Sequence, residues 1–299
     1  MSVMVAVALG LAAVWSVVAL RILSSAVAHR TGDQLAQAAA MFDALRTRAA
    51  DELRLHSRAT AGDPRLAAAL AAGGPDSAAV ADLVTELAAR RGTGLVVLLA
   101  PDGRVVTQAG ADELRGLDIA GTRPFDRAQR ATDAASAGWV VGDRIVDLGI
   151  APVGPAAAPA AYLVFGEEVG LPAVTLVADR TGVAIACAVG DTITLAAPGD
   201  VPRQIFASVA GRDEPVDGQR IELRGESYVV SVYELYGPGQ LRPRLILAQS
   251  LAHAGATFTA VRWMTYGPVL LVLLAALTAL TARRRMLSAA AGSPRARPA

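Results

Sequence analysis

The 299-residue sequence predicts an α+β fold with two similar units in tandem, behind a long N-terminal helix and between two transmembrane helices. Two observations predict it. An order of helices, a strand hairpin, a short helix and three further strands occurs twice, and strands joined by short turns favour antiparallel sheets. Long uncharged apolar tracts also lie near both ends, at residues 3–20 and 266–282.

The tract at residues 261–282 predicts the second transmembrane helix. Its one charge, Arg262, lies at the outer edge, and Arg283, Arg284 and Arg285 follow it directly. A helix of this length crosses a hydrocarbon core of roughly 30 Å. Because arginine is enriched on the cytoplasmic side, the three arginines are expected to set the topology and to contact anionic lipid headgroups.

The first tract, residues 3–20, has 18 residues without a charge and ends at Arg21. It predicts a retained anchor. A cleaved signal peptide is the alternative, because the small residues of SSAVA precede His29. The tract lacks a positively charged start and is longer than the usual apolar run of about 7–15 residues, which favours the anchor. Both ends are then cytoplasmic, and the segment between the spans is extracytoplasmic.

An amphipathic helix is predicted after Arg30. Leu35, Ala38, Phe42, Leu45 and Ala49 are spaced alternately three and four apart, as in a heptad seam. The seam either packs on its own domain or pairs with the same seam of a second copy. The first span is also able to run on directly into this helix.

The two units follow in order. The first is predicted to have helices at residues 64–72, 77–91, 111–117 and 124–132, and strands at 95–100, 104–107, 138–142, 144–152 and 160–166. The second is predicted to have helices at 171–180 and 202–210, and strands at 183–189, 192–196, 220–223, 227–235 and 244–249. A helix over 250–265 is expected to lead into the second span.

Composition and motifs argue against several functions. A net charge of +1 gives no electrostatic reason to expect nucleic-acid binding. Cys187 is the only cysteine, so it forms no intramolecular disulfide, and its strand-like surroundings predict a buried, inert thiol. Three dispersed histidines and the absence of nucleotide-binding and hydrolase motifs imply no metal, no cofactor and no enzyme activity. Glu167 and Glu168 are neighbours and would point to opposite faces of a strand.

Several segments carry a family resemblance: LVVLLAPDGRVV (95–106), GTRPFDRAQRATDAASAGWVVGDRIVDLGIAPV (121–153), AYLVFGEEVG (161–170), GVAIACAVGDTITL (182–195) and LILAQSLAHA (245–254). Their order resembles the double Cache sensory regions of bacterial transmembrane receptors, with two tandem PAS-like antiparallel-sheet modules behind a long helix. The resemblance implies a first transmembrane helix in 1–28, the long helix and a membrane-distal module in 29–170, a membrane-proximal module in 171–260, a second span in 261–282 and a cytoplasmic tail in 283–299.

For such receptors the resemblance implies that a small extracytoplasmic ligand binds one module, often the distal one. The candidate ligand-binding residues are Arg123, Arg127, Trp139, Arg144 and Tyr162. Arginine pairs with carboxylate or phosphate, and an aromatic ring forms a pocket floor. Surface charge and ordinary packing are the alternative explanation for each. The aromatic and arginine signature of the amino-acid-binding members is absent, so the resemblance implies no ligand class.

The sequence thus predicts a sensor anchored in the bacterial inner membrane, expected to be a homodimer, whose ligand shifts the helices entering the bilayer. Only residues 286–299 follow the arginine cluster, too few for an output domain. We therefore expect a separate output protein, or a truncated or split receptor. The alternative function is a non-sensing accessory or scaffold protein whose outer domain binds another protein.

Overall fold

The computed structural model describes residues 2–91, 95–110, 122–130, 133–155, 157–197, 201–212, 216–236, 243–252 and 278. Within these ranges the side chains of Arg91, Arg123, Pro124 and most residues before His29 are not described. The chain forms two compact units, one of Met1–Asp33 with Ser250–Ala299 and the other of Gln34–Gln249. The second unit contains both sheets.

Helix α1 spans Ser2–Ala61, so the predicted first span and the amphipathic segment form one helix. Leu35, Ala38, Phe42 and Leu53 are almost completely buried. Leu53 belongs to the same hydrophobic cluster as Phe165 of the first sheet. The first of the two alternatives, packing on its own domain, is therefore confirmed for Leu35, Ala38 and Phe42 of the seam, whereas Leu45 and Ala49 are only partly buried.

No helix among the described residues is long and apolar enough to span a membrane. The predicted second span, with Arg283, Arg284 and Arg285 after it, lies outside the described residues apart from Thr278. The predicted helix at 111–117 also lies outside them.

The first module, residues 64–168, is a five-stranded antiparallel sheet with helices on both faces. Its helices are α2 (Pro64–Gly73), α3 (Ala78–Arg91) and α4 (Arg123–Arg130), and its strands are β1 (Leu95–Leu99), β2 (Val105–Ala109), β3 (Ala135–Val141), β4 (Arg144–Val153) and β5 (Ala161–Glu168). The strand order is β2-β1-β5-β4-β3. The sequence prediction of a five-stranded antiparallel sheet is confirmed.

Alternation along the strands divides the first module into two hydrophobic cores. On one face, Leu98 and Phe165 pack with Leu53 of α1 and Leu66 of α2. On the other face, a second cluster includes Phe125 of α4 together with side chains from the strands. We call this second face the α4 face.

The second module, residues 171–250, repeats this architecture. Its helices are α5 (Leu171–Thr181) and α6 (Arg203–Ala210), and its strands are β6 (Ala184–Val189), β7 (Thr192–Ala196), β8 (Gln219–Leu223), β9 (Glu226–Glu234) and β10 (Pro243–Ser250). The strand order β7-β6-β10-β9-β8 reproduces that of the first sheet. The predicted tandem repeat is therefore confirmed.

Several predicted boundaries differ from those of the structure by one to three residues, and two of them have a clear reading. Strand β3 begins at Ala135, three residues earlier than predicted, because the small residues Ala135, Ser136 and Ala137 continue the pairing with β4 despite their weak strand preference. Ser250 ends β10 rather than beginning a helix, and helical structure starts at Leu251.

Candidate functional site on the first module

The α4 face gathers most of the polar and aromatic residues predicted to bind a ligand. Tyr162 lies on β5 and is 6% exposed, with the ring of Phe125 in edge contact at a centroid distance of 5.3 Å. Burial raises the pKa of the Tyr162 hydroxyl. Trp139 on β3 is partly buried and packs against the same cluster. Both aromatic residues among the predicted ligand-binding candidates, Trp139 and Tyr162, therefore lie on the α4 face.

Arg144 begins β4 directly opposite Val141, so it lies on the α4 face as well. Its Nη1 is 3.9 Å from Glu168 Oε2, and its side chain is 33% exposed. Because Glu168 lies at the exposed end of β5, the two residues form a solvated ion pair at the rim of the face. Such a pair leaves the guanidinium accessible to an anionic ligand at little cost.

Arg127 and Arg123 are positioned differently. Arg127 is exposed on α4, and its Nη1 donates to the main-chain oxygen of Ser136 at 3.2 Å. It lines a cavity of about 180 Å³ beside the edge strand β3, together with Arg46 and Tyr236. Arg123 is the first residue of α4, and its side chain is outside the described part of the chain. The structure thus brings Trp139, Arg144 and Tyr162 to one face, with Arg127 at the sheet edge.

Gln108 was missed by the sequence analysis. It lies on β2 opposite Val97, which belongs to the α4 face. The side chain is 9% exposed, and neither its Oε1 nor its Nε2 has a hydrogen-bond partner. A buried carboxamide left unpaired costs about 1–3 kcal/mol per polar group. Gln108 is therefore a buried polar group without a hydrogen-bond partner, opposite the apolar Val97 on the α4 face.

A buried ion pair lies on the opposite face of the same sheet. Nη2 of Arg46, on α1, is 2.6 Å from Oδ1 of Asp147, on β4, and their side chains are 10% and 8% exposed. The Tyr236 hydroxyl, from the end of the second module's β9, donates to the same oxygen at 2.8 Å. Burial lowers the pKa of Arg46, but the hydrogen bond to Asp147 and the nearby charges outweigh it and raise the pKa overall. Burial and the Asp147 charge raise the pKa of Tyr236.

Possible metal ligands and the cysteine thiol were considered among the described residues. No group of three or more histidine, cysteine, aspartate or glutamate side chains there has the proximity to hold a metal ion. Cys187 lies on β6 and is completely buried, as the sequence predicted. Burial raises the pKa of its thiol to about 12, so the reactive thiolate is scarcely populated at neutral pH.

No family model and no curated protein sequence matches the chain. Solved structures do. The sensory domain of the Campylobacter jejuni chemoreceptor Tlp3 is 11% identical, with a TM-score of 0.50 over 79% of this chain and 98% of that one. The ligand-binding domain of the Pseudomonas fluorescens chemoreceptor CtaA, in complex with L-isoleucine, is 14% identical, with a TM-score of 0.46 over 79% and 98% of the two chains.

The periplasmic domain of Vibrio cholerae LuxQ is 12% identical, with a TM-score of 0.45 over 72% of this chain and 99% of that one. At such low identities the likeness concerns the fold alone, and of these three domains the Tlp3 domain has the highest TM-score. The chain has the fold of a receptor sensory domain. The resemblance to double Cache regions is confirmed at that level.

Proposed function

We propose that this chain is a membrane-anchored extracytoplasmic sensor that binds a small ligand on the α4 face of the first module. The observation that carries the proposal is Gln108, whose buried carboxamide has no partner on a face that also holds Tyr162 on the central strand β5. A ligand that offers both a donor and an acceptor would satisfy it. The fold of a chemoreceptor sensory domain supports a sensor rather than an enzyme.

The other parts of the proposal concern the membrane and the output. Residues 1–28 and 261–282 would anchor the chain, with Arg283, Arg284 and Arg285 in the cytoplasm, and the domains would divide at residues 29, 171, 261 and 283. Ligand binding would move the helices that enter the bilayer, and a separate cytoplasmic protein would read that movement. A homodimer would need a surface other than Leu35, Ala38 and Phe42 of the α1 seam, since these side chains are already buried within the chain's own fold.

The test is ligand-dependent stabilisation of the purified full-length chain in detergent micelles. The probes are amino acids, their amides and other small polar metabolites that carry both hydrogen-bond donors and acceptors. A compound that binds only the folded state raises the melting temperature, by an amount that grows with its concentration. If no compound in a broad panel raises it, the sensing proposal fails and the accessory-protein alternative gains.

Gln108→Leu is the diagnostic variant, because leucine removes both polar atoms of the carboxamide and leaves an apolar side chain in the buried position. We expect the unliganded variant to be as stable as the parent or more stable, since an unpaired buried amide is removed. The response to the stabilising compound should disappear. Gln129→Leu is the matched control, since Gln129 is exposed on α4 and makes only a 3.5 Å contact to Pro101. Equal ligand responses in both variants would remove Gln108 from the site.

A further inference from the structure

We infer that Tyr236 is a lock that makes the two modules unfold and move as one unit. It lies two residues beyond the end of β9 in the second module, but its ring packs on the first module. A Cβ atom added to Gly138 of β3 would fall inside the Tyr236 ring, so only glycine leaves room for it. The hydroxyl donates to Asp147 Oδ1, with the carbonyl oxygen of Val146 at 3.3 Å.

Arg46 closes the lock from the long helix. Its guanidinium carbon lies 4.4 Å from the centroid of the Tyr236 ring, a cation–π distance. Two of its nitrogens reach the Asp147 carboxylate, at 2.6 Å and 3.4 Å, and Nη1 is 3.5 Å from the main-chain oxygen of Leu235. One side chain from α1 thus holds both modules.

Asp147 depends on both of its partners. It accepts hydrogen bonds from Arg46 and Tyr236, and its side chain is 8% exposed. If Tyr236 withdraws, the ion pair loses a donor and one wall of its enclosure. Because partly satisfied buried polar networks are disfavoured, the closed contact is expected to be more stable than one from which Tyr236 has withdrawn.

The lock lies on the reverse side of β3 from Trp139, whereas Gln108 is on β2 at the opposite edge of the sheet. Side chains alternate along a strand, so Gly138 meets Tyr236 on one face of β3 while Trp139 lies on the α4 face. A displacement of β3 at Trp139 must displace Gly138, and the ring that rests on it, by a similar amount. The lock itself exists without a ligand and is testable without one.

The experiment is hydrogen–deuterium exchange, read by mass spectrometry on the full-length chain in detergent micelles. Leu66→Ala destabilises the first module from α2, where Leu66 is completely buried. If the lock couples the modules, this change also accelerates amide exchange in β9 and β10, by at least about tenfold, because those amides open only when both modules unfold together.

The same comparison is then made with the lock opened. In a Tyr236→Ala background, Leu66→Ala should accelerate exchange in β1 and β5 while leaving β9 and β10 unchanged within about twofold. Gly138→Ala should give the same uncoupling, since it leaves Tyr236 intact but occupies its place. Equal acceleration of β9 and β10 in the parent and in the Tyr236→Ala background would overturn the inference, as would no acceleration in the parent.

Conservative variants keep the test decisive if the alanine variants fold poorly. Tyr236→Phe removes only the hydroxyl, so the transmitted acceleration should fall by about three- to tenfold. Tyr233→Phe is the matched control on β9, three residues away. In this variant Leu66→Ala should accelerate exchange in β9 and β10 as much as it does in the parent. If the acceleration of exchange in β9 and β10 is the same in Tyr236→Phe as in Tyr233→Phe, the Tyr236 hydroxyl has no part in the coupling and the inferred lock is wrong.

Discussion

Substituting Gly149 with alanine should destabilise the protein more than any other small change on β4. A Cβ on Gly149 would overlap the main-chain carbonyl group of Leu53 on α1. The helix and the strand therefore touch backbone to backbone at this point. The Ser57 hydroxyl also donates to the Gly149 oxygen at 2.7 Å, which fixes the helix over the strand.

The size of the effect follows from three contributions. Overpacking against a main chain that cannot rotate away costs about 3 kcal/mol, at the upper end for an added methyl group. Losing the Ser57 hydrogen bond as α1 withdraws costs about 1 kcal/mol. Replacing glycine by alanine in a strand returns up to about 1 kcal/mol of backbone entropy. The net loss in unfolding free energy should be about 3 kcal/mol.

The assay is a guanidinium titration of the full-length chain, followed by far-UV circular dichroism. Gly32→Ala, inside α1, is the matched control, because no atom lies within 4 Å of its added Cβ. That control should be neutral or stabilising by up to about 1 kcal/mol. A loss of less than about 1 kcal/mol for Gly149→Ala would refute the direct contact between α1 and β4.

Two further predictions concern titratable groups. The hydrogen bond from Arg65 lowers the pKa of Glu86. The ion pair between them therefore stabilises the fold fully at a pH above the ordinary glutamate pKa of 4.5, and this stabilisation is lost as the pH falls through the lowered pKa. Between about pH 5 and about pH 3, the melting temperature of Glu86→Gln should therefore fall by less than that of the parent. Glu222 is exposed, and the melting temperature of the control Glu222→Gln should fall as much as that of the parent. Cys187, with its buried thiol, should not react with a disulfide reagent at pH 8 until denaturant is added; fast reaction of the native protein would show that β6 is open.

The two sheets could be predicted from the sequence because their strands are local features bounded by clear turn residues. Pro101, Asp102 and Gly103 mark the first hairpin, and Asp102 Oδ1 accepts from the Arg104 amide as a turn aspartate does. The buried strand at 95–99 is wholly apolar, which a strand covered on both faces requires. Such signals need no knowledge of distant contacts.

Gln108 could not be found in the same way. Strand β2 carries a bulge, since Leu98 pairs with Thr107 while Leu99 pairs with Val105. The extra residue changes the alternation, so Val105 and Gln108 share a face although they are three apart. Simple alternation from the sequence would assign one of them to the wrong face.

The Tyr236 lock needed information of a different kind. Arg46, Asp147 and Tyr236 are separated by about a hundred residues each, and none belongs to a local motif. In the sequence, Arg46 is one of several arginines on α1, and only the fold distinguishes it by burial. Of the ligand-binding candidates, Tyr162 and Trp139 could be placed in strands from the sequence, but their common face is apparent only in the structure.

The contact between Gly149 and Leu53 also determines how α1 is able to move. Because the backbones touch and Ser57 is bonded there, sliding along β4 is blocked, and a tilt about this point would have to move the buried contacts of Phe42 and Arg46 as well. From Leu53 back to Gln34 the helix extends about 28 Å, at about 1.5 Å per residue. A tilt of about 5° at the pivot would then displace the Gln34 end by about 2.5 Å. Gly149 is thus the pivot about which such a tilt of α1 would turn.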